Sequence, residues 1–110
     1  MATQKILDQN TKNLAKKYLS KVQAAGIEVS EALVFGSHAA GRADKHSDVD
    51  LAVVSPNFGK NHHEELVNLF RLIDLETREL EPVPFSPQGL KDKWDPLATE
   101  IRRKGVAVYP

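Results

Sequence analysis

Two apolar runs on either side of a polar loop constrain this chain more than any other feature. Leu33-Val34-Phe35 ends in Gly36-Ser37, and after ten intervening residues Asp48-Val49-Asp50 opens into Leu51-Ala52-Val53-Val54. Both runs are short and bounded by turn formers, so both read as strands. The second is apolar on both faces and is expected inside a sheet. Side chains alternate with period two along a strand, which puts Asp48 and Asp50 on one face. Two like charges there are costly without a compensating cation. Gly36-Ser37, at the start of a helical turn, offers backbone N–H groups and a hydroxyl to a phosphate. Together these groups can hold Mg²⁺ against a nucleoside triphosphate.

The rest of the chain supplies helices to cover such a sheet. Leu14, Tyr18 and Val22 recur at helical spacing among Lys12, Lys16, Lys17 and Lys21. They predict an amphipathic helix over about residues 8–24, stopped near Gly26. Glu31 to Phe35 is the first strand, residues 37–41 a brief helical turn, and Gly41 to His46 a polar loop. Val49 to Val54 is the second strand, broken by Ser55-Pro56-Asn57-Phe58-Gly59. Asn61 reads as an N-cap with Glu64 in the reciprocal position, and Leu66, Leu69, Phe70 and Ile73 as the stripe of a second helix. Arg78 to Phe85 is a third strand. Pro82 and Pro84 lack N–H groups on one side of it, so that side is an edge. Ser86-Pro87 and Asp95-Pro96 each open a helical turn. Leu90, Trp94, Leu97 and Ile101 form one apolar side, Gly105 ends the last helix, and Val106 to Tyr109 is the last strand. Helices interleaved with four short strands give an α+β, mixed α/β layer.

Composition narrows the classes. The chain has 110 residues, 41% hydrophobic and 27% charged, which suits a single soluble domain over residues 1–110. Its 15 basic and 15 acidic residues cancel, which argues against a nucleic-acid binder held by overall charge. With no cysteine it has neither a disulfide framework nor a thiolate metal site. No apolar segment reaches membrane-span length and no signal-peptide core is visible, so a cytoplasmic protein is expected.

The pattern Gly36-Ser37, ten residues, Asp48-Val49-Asp50 resembles the signature of the polymerase-β-type nucleotidyltransferase superfamily, most closely its minimal branch, the MNT proteins. Gly41 and Ser47-Asp48 also fit. The stretch from Glu81-Pro82 to Val106–Tyr109 looks like the end of a minimal member, so the resemblance covers nearly the whole chain. Many members carry Arg where this chain has Ala40, with Arg42 two positions on, so no phosphate-binding arginine is carried over. The resemblance implies a nucleotidyltransferase fold, a small mixed sheet with helices packed on it. It implies a two-metal Mg²⁺ site on Asp48, Asp50 and a third carboxylate. Glu81, between Leu80 and Pro82, matches that third position, with Glu79 as the fallback. It further implies transfer of a nucleoside monophosphate, AMP from ATP, to a hydroxyl.

At this length no acceptor-binding domain is expected, so the acceptor is expected to come from another polypeptide. The MNT resemblance implies a helical HEPN protein, often an RNase toxin, with this chain as the adenylylating antitoxin of a hetero-oligomer. Two other readings stand beside it: a subunit that masks its partner sterically, and a transferase acting on an RNA or small-molecule hydroxyl. His62-His63 reads as a solvent-facing helix start, and His46 as a loop residue. His38, next to Ser37, is given no role. Arg102-Arg103-Lys104 reads as a match to a helix dipole.

Overall fold

Asp8 accepts a hydrogen bond from the Thr11 N–H (2.7 Å), and α1 (Gln9–Ala24) starts there. The bond satisfies one of the donors that a helix start leaves unpaired. Gly26 follows the helix at φ +89°, a left-handed conformation that glycine enters without a β-carbon penalty. Tyr18 and Val22 of the expected stripe are buried, together with Ala15 and Leu19, while Leu14 is half-buried against the same core. The structure, a computed structural model, describes residues 7–39 and 48–110.

Four strands make one mixed sheet in the order β3-β2-β1-β4: β1 (Glu31–Phe35), β2 (Val49–Val54), β3 (Leu80–Phe85) and β4 (Val106–Tyr109). β1 runs antiparallel to both β2 and β4, and β2 runs parallel to β3. The expected α+β class and the internal position of β2 are both found. Alternation along the strands sorts the core into two layers. Val34, Leu51, Val53 and Leu80 pack with α1 and with Leu69 of α2 (His62–Arg71). Phe35, Ala52, Val54 and Phe85 pack with Leu90 of α3 (Pro87–Leu90) and with Ala98 and Ile101 of α4 (Pro96–Lys104). Each fully buried Leu, Val or Ile side chain of these layers contributes about 1.5–3 kcal/mol.

The proline edge is also found, with its mechanism visible. The Val49 and Ser55 N–H groups donate to the Glu79 and Phe85 carbonyls, so odd-numbered residues of this stretch turn their backbone groups toward β2. Even-numbered residues turn outward. There the Leu80 N–H is taken by the Thr77 carbonyl, and Pro82 and Pro84 have no N–H to give. The outer side of β3 therefore offers no donor to another strand.

Some local expectations are corrected. Residues 36–39 form a turn that opens on Gly36 at φ +76°; the rest of the helical turn expected over 37–41 and the loop Gly41–His46 lie outside the described residues. The third strand starts at Leu80 rather than Arg78. Asp74 Oδ1 accepts from the Glu76 and Thr77 N–H groups and the Thr77 hydroxyl, folding the preceding segment into a turn. Asn61 does cap α2, accepting from the Glu64 N–H. The reciprocal carboxylate, however, is Glu65, which accepts from the N–H groups of Gly59, Lys60 and Asn61. Phe70 is 46% exposed, since Leu69 takes the sheet-facing position of α2. Trp94 is 82% exposed and Leu97 38%: Trp94 lies in the turn before α4, off the helical stripe that carries Ala98 and Ile101.

Candidate active site

Three strands begin or end together at one end of the sheet, and that end carries the acidic groups. Phe35, the last residue of β1, is in register with Asp50, and Asp50 is in register with Glu81 across the parallel pair. Asp50 shares its sheet face with Ala52 and Val54, and Glu81 shares the same face with Val83 and Phe85, the face covered by α3 and α4. Asp48 stands exposed immediately before β2.

Gly36 follows Phe35 directly, so its backbone runs beside Asp50. A β-carbon at Gly36 would overlap Asp50 Oδ2, and the φ of +76° is itself one that side chains rarely adopt. The two halves of the sequence motif therefore touch. Glycine is required there for conformation and for space. Ser37 and His38 follow in the same turn, both half-buried. Gly41 and Ser47, which also matched the motif, lie outside the described residues, as do Ala40, Arg42 and His46.

The carboxylates perturb one another. Burial pushes the Asp50 carboxyl up. Hydrogen bonding with Glu81 opposes the shift, the charge on Asp48 adds to it, His38 counters it, and Glu100 of α4 adds to it. The Glu81 carboxyl is also pushed up, by desolvation, by hydrogen bonding with and charge on Asp48, then by the same from Asp50. Because Glu81 is exposed, solvent screens these effects more than at Asp50. The structure thus brings Glu81 to both aspartates. Glu79 sits in the turn that precedes β3, and its carbonyl is taken by the Val49 N–H.

The donor set has the chemistry of a hard-cation site. It is oxygen-only, carboxylate-rich and backed by a backbone pared to glycine where Asp50 approaches. Among the described residues no three acidic or histidine side chains stand in ready-made coordination geometry. Like charges at this spacing share protons or turn apart until a cation offsets them.

Two contributors were not legible beforehand. Glu100 acts on Asp50 from α4, whose spacing displays only its apolar stripe. The Asp74–Thr77 turn starts β3 and so places Glu81, and α1 anchors it through the Lys21–Asp74 and Lys17–Glu76 ion pairs. Arg102 does more than match a helix dipole: its guanidinium donates to the Leu90 and Asp92 carbonyls and to the Thr99 hydroxyl, tying α4 to α3. His62 and His63 are exposed at the start of α2, as expected.

Comparison with known proteins points the same way. A family model described as a nucleotidyltransferase domain matches residues 12–96. A crystal structure of a Sulfolobus solfataricus protein described as a candidate nucleotidyltransferase superposes with TM-score 0.65 at 21% identity, over 88% of this chain and 78% of that one. A crystal structure of a toxin–antitoxin with AMP-PNP superposes with TM-score 0.55 at 19% identity, over 88% of this chain and 71% of that one. No curated protein matches. With the family model spanning most of the chain, including β1-Gly36-Ser37 and the strands of Asp50 and of Glu81, this protein belongs to the nucleotidyltransferase-domain family.

Proposed function

We propose that the chain is a Mg²⁺-dependent nucleotidyltransferase that moves AMP from ATP to a hydroxyl on a partner protein, as the antitoxin of a HEPN/MNT-type pair. The observation that carries this reading is the convergence of Asp48, Asp50 and Glu81 beside the Gly36-Ser37 turn. Family membership supports nucleotidyl transfer, and the toxin–antitoxin neighbour with AMP-PNP supports a protein partner and an adenine nucleotide.

In the reaction, the acceptor oxygen loses its proton and bonds to the α-phosphorus, while the bond from that phosphorus to the pyrophosphate oxygen breaks. Gly36 and Ser37 hold phosphate oxygens through backbone N–H groups and the Ser37 hydroxyl. Asp48, Asp50 and Glu81 would hold Mg²⁺, which neutralises charge on the transferring and leaving oxygens. Glu81, in register with Asp50 at the same end of the sheet, takes the proton that the acceptor hydroxyl gives up. The partner supplies the acceptor, and docking turns a bimolecular attack into a positioned one.

The test is intact-mass spectrometry of the chain and its genomic-neighbour protein after incubation with Mg²⁺-ATP. The proposal expects the partner to gain the mass of one or more AMP groups, on a tyrosine or another accessible hydroxyl, and the chain alone to gain little. An unmodified partner that wild type and Asp48→Asn inhibit equally would leave a steric antitoxin instead.

A further inference from the structure

α1 carries its four lysines in two rows with different fates. Lys17 and Lys21 are paired with Glu76 and Asp74. Lys12 and Lys16, one helical turn apart on another side of α1, line a cleft of about 470 Å³ between α1 and β4. Among the described residues neither has an ion-pair partner, although Lys12 is half-buried. The other polar groups of the cleft are also able to donate. Ser20 and Gln23 line it, and Gln23 Nε2 donates to Tyr109 Oη (3.0 Å), so the Tyr109 hydroxyl proton is left to give. Leu19 and Val108 supply an apolar floor.

The cleft flanks the outer strand of the sheet. The two edges of that sheet are treated oppositely: β3 has no outward donor, whereas β4, Val106-Ala107-Val108-Tyr109, contains neither proline nor charge. An extended segment can add to such an edge through backbone hydrogen bonds. A second copy of this chain is a poor occupant. Two-fold pairing of β4 with β4 would bring Lys12 and Lys16 of both copies to the same seam on the same sheet face.

We infer that the α1–β4 cleft binds a short, extended, acidic peptide segment of the partner protein, with Lys12 and Lys16 reading its carboxylates. The inference rests on the reading that this chain works on a protein partner, and it places the docking contact apart from the reacting groups. The α1–β4 cleft would hold the partner, and the carboxylate end of the sheet would act on it.

The probe is a fluorescein-labelled eight-residue peptide alternating Glu and Val, followed by fluorescence anisotropy and by amide chemical-shift mapping on the full chain. Saturable binding is expected, with shifts centred on residues 12–23 and 107–110. It should weaken at least tenfold in Lys12→Glu/Lys16→Glu and with added salt, and persist in Asp50→Asn. A Lys-Val peptide should not bind. Equal binding by the double variant, shifts elsewhere, or tighter binding of an eight-nucleotide uridine RNA at this cleft would overturn the inference. Mg²⁺-ATP binding should be unchanged in the double variant, so loss of peptide binding and loss of the nucleotide site are read separately.

Discussion

Asp50 Oδ2 occupies the space that a β-carbon on Gly36 would fill, so the glycine of the turn and the carboxylate of the neighbouring strand are shaped to one another. Gly36→Ala should therefore act twice. The left-handed φ costs about 1–2 kcal/mol for a residue with a β-carbon. Displacing Asp50 by an ångström should lower transfer by about 100-fold. Thermal unfolding and transfer to the partner check the two effects independently.

The raised carboxyls of Asp50 and Glu81 set a pH dependence whose sign is fixed. A carboxyl with a raised folded value favours the fold below the ordinary carboxylate range, and that contribution is lost as pH rises through the raised value. Without Mg²⁺, Asp50→Asn should be as stable as wild type or more so at pH 7, and the gap should close on acidification toward that range. Mg²⁺ with ATP should reverse the order by stabilising wild type alone. Unfolding midpoints across pH, with and without Mg²⁺-ATP, measure this.

Tyr18 donates to the Leu69 carbonyl across the α1–α2 contact, fully buried, and burial pushes its hydroxyl well above the usual tyrosine range. Tyr18→Phe removes this donor while the carbonyl keeps the Leu72 N–H, at a cost of about 0.5–1.5 kcal/mol. Denaturant unfolding should show the loss, while nucleotide binding stays at the wild-type level because the pair lies on the other face of the sheet from Asp50.

Much of the fold was legible because its signals are local. The caps Asp95 and Ser86, the stop at Gly26 and the apolar runs of β1 and β2 each rest on a few adjacent residues. Pro82 and Pro84 marked an edge for the same reason. What escaped depends on contacts distant in sequence. Trp94 and Phe70 match an apolar stripe by spacing, yet helix ends and sheet registry leave them exposed. The choice of Glu81 over Glu79 as neighbour of the aspartates turns on where the Asp74–Thr77 turn releases the chain into β3. The charge of Glu100 bears on Asp50 only because α4 packs on that face of the sheet. The approach of Gly36 to Asp50 was implicit in the motif and became explicit only in the strand register.

The central claim is that Asp48, Asp50 and Glu81 hold Mg²⁺ for a nucleotide seated on the Gly36-Ser37 turn. Calorimetric titration with ATP, with and without Mg²⁺, tests it most directly on wild type, Asp48→Asn, Asp50→Asn, Glu81→Gln and Glu79→Gln. The account predicts Mg²⁺-dependent binding by wild type and Glu79→Gln. Losses in both aspartate variants should exceed the ~10–100-fold that removal of an outer partner of a metal ligand brings, with a loss in Glu81→Gln as well. Wild-type affinity in either aspartate variant, or binding indifferent to Mg²⁺, would contradict it.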